Sequence, residues 1–224
     1  MPKSEIIIRN AKHGDWIGFK KVDEAGFNDS GIELITMEQF NAWLTVFPKG
    51  FFVAEKNGKI SGYIYLQICD FDPLDVNDIR NFNEITDNGY TYKTHNPDEF
   101  CLYVVSVAAV DSGTGRKLVS ETIKLTKKYK KKYYAGVCRM SGLNRFIKKN
   151  KLKPTIENIS LYAELVSDSV KGKRKGKIKY FDPVLSVLLK VKDSKFSRLI
   201  KNFLKDKQSL NWTSVIYYKN EDSN

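Results

Sequence analysis

The chain has 224 residues, of which 42% are hydrophobic and 12% aromatic, a composition that fits a globular protein large enough to bury a core. No run approaches about 18 consecutive apolar residues, the N-terminus lacks the layout of a secretory signal, and neither the three cysteines nor the two histidines show metal-ligand spacing. The net charge of +12 suggests an anionic partner, and together these features predict a cytoplasmic protein without membrane segments or bound metal.

The first predicted elements are a strand and two helices. The β-branched run Glu5–Arg9 predicts a strand, and Asp15 is suited to cap a helix whose apolar residues recur at helical spacing. Thr36 and Gln39 have the spacing of a capping box, which predicts a second helix. Pro48-Lys49-Gly50 is expected to end that helix.

A hairpin and a long polar segment follow. Phe51–Glu55 and Ile60–Cys69 predict two strands joined by Asn57-Gly58, the strongest short signal for a tight hairpin turn. Residues 70–99 then carry eight acidic side chains against one arginine and one lysine. A loop of this length in a compact domain is typically functional or disordered, so we expect an insertion that could border a site.

The centre of the chain carries the most informative pattern. An apolar strand over 100–110 leads into Gly113-Thr114-Gly115 and directly into a helical pattern over 114–132. The first N–H groups of a helix lack intrahelical partners and lie at the positive end of its dipole. Glycine lets a bulky anion approach such a backbone. The turn is therefore a candidate phosphate or pyrophosphate site, although many junctions of this kind bind nothing.

The C-terminal part predicts three more strands and three helices. In chain order they are a strand at Tyr133–Arg139, helices at 141–150 and 158–170, a helix opened by Asp182-Pro183, and strands at 197–204 and 214–219. The complete order shows no internal repeat and implies a mixed sheet with helices on its faces. We expect a single domain over 1–224, with insertions at 70–99 and 140–181.

The positive charge is concentrated in three windows. Residues 124–132, 145–153 and 171–180 hold 17 of the 38 basic residues and no acidic one, which leaves 21 basic against 26 acidic residues elsewhere. The last window contains two glycines and predicts a basic loop that is either solvated or in contact with an anion. No zinc-finger, helix-turn-helix or RNA-binding motif accompanies these windows, so charge alone does not indicate a nucleic-acid-binding protein.

The order of elements, with the glycine turn leaving the fourth strand, resembles the GNAT superfamily of N-acetyltransferases over essentially the whole chain. Three segments resemble a bacterial subgroup sometimes fused to a carbon–nitrogen hydrolase, which this chain is too short to contain: Phe82–Tyr103, Asp182–Leu189, and Ile200–Leu210 with Val215–Tyr217. The resemblance implies an α/β (α+β) fold, with a mixed, mostly antiparallel six- to seven-stranded sheet and helices on both faces.

The resemblance also implies a cofactor, acetyl-CoA or another acyl-CoA, with no metal. Backbone groups at the end of the fourth strand would bind the pantetheine like an added strand, and the glycine turn would bind the pyrophosphate. The implied residues are Val107, Ala108 and Ala109 for the pantetheine, and Gly113, Thr114, Gly115, Arg116 and Lys117 for the pyrophosphate. This assignment agrees with the physical interpretation of the turn given above.

Several positions depart from the family pattern. The loop before the glycines is shortened, and Asp111 would lie near a polyanion, which is unfavourable unless its side chain points away. Ser106 occupies the position where the subgroup is expected to carry a catalytic aspartate. Serine cannot act as that base unaided, although it could hold a water molecule. The usual proton donor on the last helix falls near Leu188, which has no proton to donate.

Other residues could supply or replace this chemistry. His95 has an intrinsic pKa suited to a catalytic base and lies in a segment expected to edge the acceptor site. Glu99 could contact the acceptor, and Arg139 could bind an acceptor carboxylate bidentately. The alternatives for His95 and Glu99 are an ordinary loop histidine and a solvated charge at a strand end.

The leading functional hypothesis is an acyl-CoA-dependent N-acyltransferase, by preference an N-acetyltransferase, that acts on a primary amine by direct transfer. The acceptor would be a small molecule or peptide, and the acidic 70–99 segment suggests that it is cationic. Two alternatives stay open: a catalytically degenerate GNAT-fold module that binds CoA or a partner, and a basic nucleic-acid-binding protein. A membrane partner is not expected, and a homodimer is compatible with the sequence.

Overall fold

A computed structural model describes residues 5–173 and 179–222 of the chain. In chain order the elements are β1 (Ile6–Asn10), a 3₁₀ turn (His13–Asp15), α1 (Trp16–Phe27), α2 (Met37–Val46), a 3₁₀ turn (Pro48–Gly50), β2 (Phe51–Lys56), β3 (Lys59–Cys69), α3 (Phe82–Thr86), β4 (Cys101–Ala109), α4 (Thr114–Thr122), α5 (Lys124–Lys128), β5 (Tyr133–Arg139), α6 (Leu143–Lys149), α7 (Ile156–Val170), α8 (Leu185–Leu189), β6 (Lys195–Lys201) and β7 (Trp212–Lys219). The strands form one sheet in the order β1-β2-β3-β4-β5-β7-β6. The predicted mixed, mostly antiparallel sheet is confirmed, with seven strands.

Strands β4 and β5 are the one parallel pair in the described sheet, and their pairing is short. It extends from Cys101 opposite Tyr133 to Val104 opposite Gly136. Beyond that point β4 continues to Ala109 and stays paired with β3 on its other side, while β5 stays paired with β7. The facing edges of β4 and β5 are therefore unpaired past Val104, and this separation creates the cleft described below.

Helices cover both faces of the sheet. On one face, Tyr63 of β3 packs against Phe19 of α1 with ring centroids 4.2 Å apart, and Tyr65 stacks on Trp43 of α2 at 4.4 Å. Neighbouring residues of a strand point to opposite faces, and α4 packs on the other face at Gly62. A Cβ at Gly62 would lie 2.7 Å from a side-chain atom of α4, so the close approach of α4 depends on this glycine.

A second apolar cluster joins the helices of the 140–189 region to the C-terminal strands. Leu143 of α6, Ile159 and Val166 of α7 and Leu185 of α8 are buried in it together with Ile216 of β7. The segment predicted as an insertion at 140–181 is thus largely a packed helical layer. Its status as an insertion within a single domain over 1–224 stays a prediction.

The two predicted helix starts near the N-terminus have different outcomes. Thr36 and Gln39 form the predicted capping box, with backbone-to-side-chain hydrogen bonds of 3.2 and 2.8 Å. Asp15 does precede α1, but its carboxylate does not cap that helix. It accepts hydrogen bonds from Arg9 at 2.7 and 2.8 Å instead, because a nearby guanidinium offers a bidentate, charge-assisted partner.

Two longer segments differ from their predicted form. The helix predicted over 114–132 is divided into α4 and α5 and ends at Lys128, and Lys130 adopts a positive φ of 53° before β5 begins. The polar segment 70–99 contains the short helix α3, which an Asn81–Glu84 capping box begins. Residues 174–178 of the predicted basic loop lie outside the described residues.

Candidate active site

A cleft of about 1450 Å³ opens where β4 and β5 separate. Its walls come from the ends of both strands, the start of α4, helix α8, the segment between α1 and α2, and residues 202–205. The 70–99 segment contributes residues 81–83, Asn88 and Tyr90 to the wall. In the described part of the chain, none of that segment's acidic side chains lines the cleft.

The backbone of β4 forms one wall of this cleft. Val107, Ala108 and Ala109 all line it, and their strand is paired with β3 on the far side only. Alternate residues of a strand direct their N–H and C=O groups to opposite edges, so part of this backbone faces the cleft without a strand partner. An extended, amide-containing ligand could pair with that edge as an added strand does.

The glycine turn continues this wall. Gly113 has φ +86°, a left-handed conformation that favours glycine. In the described structure the N–H groups of Gly113, Gly115 and Arg116 have no hydrogen-bond acceptor in the chain, and all three residues line the cleft. A Cβ on Gly115 would lie 3.6 Å from Val187 and 3.7 Å from Ala109, so a larger side chain there would project into the cleft.

Two of the amides that the resemblance assigned to the pyrophosphate are already used. The N–H of Thr114 donates to Asp111 O at 3.2 Å, and the N–H of Lys117 donates to Gly113 O at 3.1 Å. The Lys117 ammonium donates to the carbonyl of Ile6 in β1. Thr114 and Lys117 are therefore removed from the anion-binding set, and the free amides fit a pyrophosphate with fewer contacts than predicted.

The carboxylate of Asp111 is paired outside the turn. Its Oδ2 lies 3.4 Å from the ammonium of Lys56, at the end of β2. A lysine at this distance offsets much of the repulsion that Asp111 would exert on an anion at the turn. The pair reduces the negative charge that Asp111, which lines the cleft, presents to an anion at the turn.

Ser106 lies just beyond Val104, the last residue of β4 that pairs with β5, and it lines the cleft. Its hydroxyl is 3.0 Å from the phenol oxygen of Tyr63, and that phenol donates a short hydrogen bond to Asp23 of α1. The other carboxylate oxygen of Asp23 accepts the backbone N–H of Ile35 at 2.9 Å. The Ser106 and Tyr63 hydroxyl groups thus connect the cleft to the buried carboxylate of Asp23.

Burial changes the acidity of this chain of groups. Asp23 has an exposed fraction of 2%, and loss of hydration raises the pKa of its carboxyl group, against the lowering effect of its hydrogen bonds to Tyr63 and Ile35. Burial likewise raises the pKa of Tyr63, helped by the neighbouring Asp23. Tyr63 therefore stays protonated at neutral pH, while Asp23 is a stronger base than an exposed aspartate when it is ionised.

Leu188 of α8 lines the cleft, at the place predicted for the missing proton donor. Neighbouring Val184 and Val187 line it too. The α8 side of the cleft is accordingly apolar, and it can exclude water but cannot donate a proton.

Arg139 ends β5 and lines the cleft, but its guanidinium is occupied. It forms a bidentate pair with Asp206 at 3.0 and 3.1 Å and also donates to Gln208 at 2.8 Å and to the carbonyl of Gly26 at 3.1 Å. Both members of the ion pair are buried. The predicted role for Arg139, binding an acceptor carboxylate, conflicts with this geometry, because the residue already holds a carboxylate of its own chain.

His95 and Glu99 lie near the beginning of β4 and do not line the cleft. The Nδ1 atom of His95 accepts the N–H of Ile68 at 3.0 Å, and its ring stacks on Phe47 with centroids 4.7 Å apart. Burial lowers its pKa, with a smaller contribution from Lys131. The placement conflicts with the expectation that His95 edges the acceptor site, because its ring is held in the fold, and Glu99 lies at the strand end with one long contact to Asn96.

Sequence reasoning missed Asp23 and Tyr63. Asp23 follows Phe19 by four residues and Val22 by one, so it falls on the apolar face of α1. A carboxylate on a buried helix face is a signal that the sequence does contain, because burying an unpaired charge is costly. Nothing comparable marks Tyr63, which resembles any other aromatic residue of a buried strand.

Comparison with known proteins extends this picture. The uncharacterized N-acetyltransferase YkwB of Bacillus subtilis (strain 168) is 30% identical over 187 residues, which cover 82% of this chain and 74% of that protein. The probable hydrolase YhcX of the same organism is 26% identical over 98% of this chain, which spans 40% of that protein's length. Among solved structures, the GNAT-like decarboxylase GphF in complex with isobutyryl-CoA has a TM-score of 0.67 at 17% identity and covers 95% of this chain and 98% of its own. No family model matches the chain.

These findings define first the fold and then the family. The likeness to GphF shows a GNAT-like fold, in a protein that was solved with an acyl-CoA. The likeness to YkwB shows that the chain belongs to the GNAT family of N-acetyltransferases. Most of YhcX has no counterpart here, as expected for a relative of a subgroup sometimes fused to hydrolases. No described helix is long and apolar enough to cross a bilayer, and no cluster among the described residues could hold a metal ion.

Proposed function

We propose that the chain transfers an acetyl or related acyl group from CoA directly to a primary amine. The observation that carries this proposal is the continuous backbone surface formed by the open edge of β4 and the unpaired N–H groups of Gly113, Gly115 and Arg116. The pantetheine arm of CoA contains amides that can pair with a strand edge. Its pyrophosphate is an anion suited to a helix N-terminus.

Side chains near the turn support an anionic ligand. Arg116 lines the cleft and adds a positive charge to the unpaired amides of the turn. Lys56 pairs with Asp111 and reduces the local negative charge. We assign Val107, Ala108 and Ala109 to the pantetheine arm, and Gly113, Gly115 and Arg116 to the pyrophosphate.

We assign Ser106 to the reacting amine. When bound, the acyl-CoA supplies a thioester whose carbonyl carbon is open to attack by an unprotonated amine. Ser106 is polar, lines the cleft and lies where β4 and β5 part, so its hydroxyl oxygen can accept a hydrogen bond from an amine N–H. The apolar surface of α8 on the other side would keep water from competing with the amine.

The acceptor is proposed to be cationic because acidic residues between α1 and α2 line the cleft, and not because of the acidic 70–99 segment. In the 70–99 segment, Asp78 is paired with Arg80 at 2.7 Å, and this pair does not line the cleft. Asp29 and Glu33, between α1 and α2, do line it. Their negative charges favour a polyamine or a lysine-bearing peptide over an acidic amine.

The test combines acetyl-CoA binding by calorimetry with release of free thiol in the presence of a pool of primary amines. Gly115→Trp places an indole in the cleft, and we expect at least about 100-fold weaker acetyl-CoA binding, which is within the usual cost of a severe steric clash. Gly14→Trp is the matched control, because Gly14 lies outside the cleft and a Cβ there meets nothing within 4 Å. Equal binding by both variants would contradict the proposal.

A second candidate function is a CoA-binding module that does not catalyse transfer. Leu188 favours it, because the α8 side of the cleft has no proton donor there. Tight binding of acetyl-CoA without thiol release from any amine would support this module over the enzyme.

A further inference from the structure

The buried carboxylate of Asp23 in α1 borders the cleft and is also joined to it through the hydroxyl groups of Tyr63 and Ser106. We propose that Asp23 is the proton acceptor of the transfer reaction and is reached from the amine through the hydroxyl groups of Ser106 and Tyr63. This inference rests on the proposed acyl transfer. In it, Asp23 takes the role of the aspartate that the family resemblance predicts at position 106.

The direction of the hydrogen bonds makes this relay competent. Each hydroxyl has one proton to donate. The Tyr63 proton is directed to Asp23, so the 3.0 Å contact between Tyr63 and Ser106 requires the Ser106 hydroxyl to donate when Asp23 is ionised. Ser106 then has free lone pairs on the side of the cleft. An amine N–H is the group they would accept.

The surroundings of Asp23 differ from those of the other buried aspartates. Asp15 pairs with Arg9, and Asp206 pairs with Arg139. Among the described residues, no lysine or arginine pairs with Asp23, whose hydrogen-bond donors are Tyr63 and the amide of Ile35. A cationic partner favours the charged form of a carboxylate and lowers its affinity for a proton, so the absence of such a partner suits Asp23 to a role as proton acceptor.

Asp182 provides a second comparison. It is equally buried and lacks a cationic partner, but its two oxygens accept four hydrogen bonds, from Gly142, Tyr162, Val184 and Leu185. These four donors occupy the lone pairs of the Asp182 carboxylate, and Asp182 does not line the cleft. Asp23 accepts two and lines the cleft, so it retains capacity to take a proton.

The proton balance of the step is complete. The amine nitrogen forms a bond to the acyl carbon, the carbon–sulfur bond breaks, and the thiolate is protonated by solvent. The amine proton passes to Ser106 as the Ser106 proton passes to Tyr63 and the Tyr63 proton passes to Asp23. Ser106 and Tyr63 end neutral, and Asp23 ends protonated and later releases its proton to water.

The facing groups define the expected pH dependence. Asp23 faces Tyr63 from β3, the amide of Ile35 from the segment after α1, and Glu24 on its own helix, which adds a like charge. Since the base must be ionised, kcat should fall as the pH drops through the raised pKa of Asp23. If Asp23 only stabilised the fold, its replacement would lower stability without changing this acidic limb of the pH profile.

The experiment measures thiol release from acetyl-CoA with the amine pool for three variants: Asp23→Asn, Tyr63→Phe and Ser106→Ala. We expect each to lower kcat by at least about 100-fold, the usual contribution of general base catalysis, with acetyl-CoA binding by calorimetry unchanged. Asp23→Asn should also abolish the acidic limb of the pH profile. The double variant Asp23→Asn/Ser106→Ala should be no slower than either single variant, because the groups act in series.

Tyr65→Phe is the matched control for Tyr63→Phe. Tyr65 is a buried tyrosine of the same strand, its hydroxyl bonds to Thr91 at 2.9 Å, and it lies outside the cleft. The Tyr65→Phe variant should lose stability as Tyr63→Phe does, because each loses a buried hydroxyl group, but it should retain kcat. Thermal unfolding of every variant separates lost stability from lost chemistry.

The outcomes separate this inference from the proposed function. If the wild type turns over and Asp23→Asn keeps both its kcat and its acidic limb, the relay is wrong and the transferase stands. Multiplicative losses in the double variant would also overturn the relay, because they indicate independent roles. A wild type that binds acetyl-CoA but acylates no amine would overturn both.

Discussion

The polar groups near the two ends of β4 differ in their hydrogen bonding. At the beginning of the strand, the ring of His95 accepts the amide of Ile68, and the ammonium of Lys131 donates to the carbonyl of Pro97. At its other end, the amides of Gly113 and Gly115 have no partner in the described structure. The amides of Gly113 and Gly115 are free because they lie at the start of α4, where a helix offers them no acceptor, and the cleft beside them is open because β4 pairs only with β3 after Val104.

This contrast shows how to separate structural from functional polar residues in the fold. From the sequence, His95 is a candidate catalytic base and Glu99 a candidate contact for the acceptor. The structure places the open edge of β4 and the glycine turn past the point where β4 and β5 part, whereas His95 and Glu99 lie before that point and outside the cleft. The predictions below test that boundary.

The largest effect is expected for Arg139→Gln, which tests whether a residue beside the open end can still be structural. The substitution leaves the carboxylate of Asp206 buried without its cation, and we expect a loss of about 3–5 kcal/mol in the free energy of unfolding in urea. Asp222→Asn is the control, since its pair with Lys127 is solvent-exposed and should not change stability measurably. Unchanged stability with a raised KM for the amine would restore the acceptor-binding role of Arg139.

The next effect is expected for Gly113→Ala, which tests the free amides of the turn. Gly113 and Gly58 both have positive φ, of 86° and 73°, and at both a Cβ would meet nothing within 4 Å. Alanine should cost each site about 1–2 kcal/mol of stability. Alanine keeps the N–H group, but the strain of a Cβ at positive φ should displace it, so only Gly113→Ala, whose amide lines the cleft, should weaken acetyl-CoA binding, by about tenfold. Equal affinities in calorimetry would show that the turn does not bind the cofactor.

A smaller effect, on stability alone, is expected for His95→Gln. The folded protein holds His95 neutral with a pKa lowered from 6.5, so the unfolded chain binds more protons as the pH falls below that value. Stability should therefore decrease as the pH drops below about 6.5, and the variant should show less of this decrease in thermal unfolding. Loss of kcat at neutral pH would instead place His95 in the chemistry.

The smallest effect is expected for Glu99→Gln. Its carboxylate has one long contact, 3.5 Å, with Asn96. The variant should change stability by less than about 0.5 kcal/mol and leave the KM for the amine unchanged. A clear rise in that KM would return Glu99 to the acceptor site.

The parts of the fold predicted well are those set by neighbouring residues. The hairpin turn at Asn57-Gly58 has both residues at positive φ, as its sequence requires, and β5 has the predicted bounds. The backbone part of the candidate site could also be proposed from the sequence, because a glycine between a strand and a helix indicates a left-handed turn. The break between α4 and α5 at Ile123 was not predicted, because the helical pattern over 114–132 is uniform and no proline or glycine lies at the break.

The side-chain half of the site could not be predicted in the same way. Tyr63 and Asp23 are 40 positions apart, and Tyr63 and Ser106 are 43 apart. Their meeting depends on how α1 packs over β3 and β4, which no local pattern specifies. Arg139 and its partner Asp206 are 67 positions apart. The sequence therefore gives no sign that Arg139 is used in an ion pair and is not free to bind a ligand.

The central claim is that main-chain amides of the glycine turn bind the pyrophosphate of CoA. The most direct measurement is the change in backbone amide NMR shifts on titration with CoA and, separately, with pantetheine, which lacks the phosphates. The account predicts that CoA shifts the amides of Gly113, Gly115 and Arg116 while Gly58 stays unchanged, and that pantetheine shifts residues of β4 but not the turn. Unshifted turn amides at saturating CoA, or equal shifts with both ligands, would contradict it.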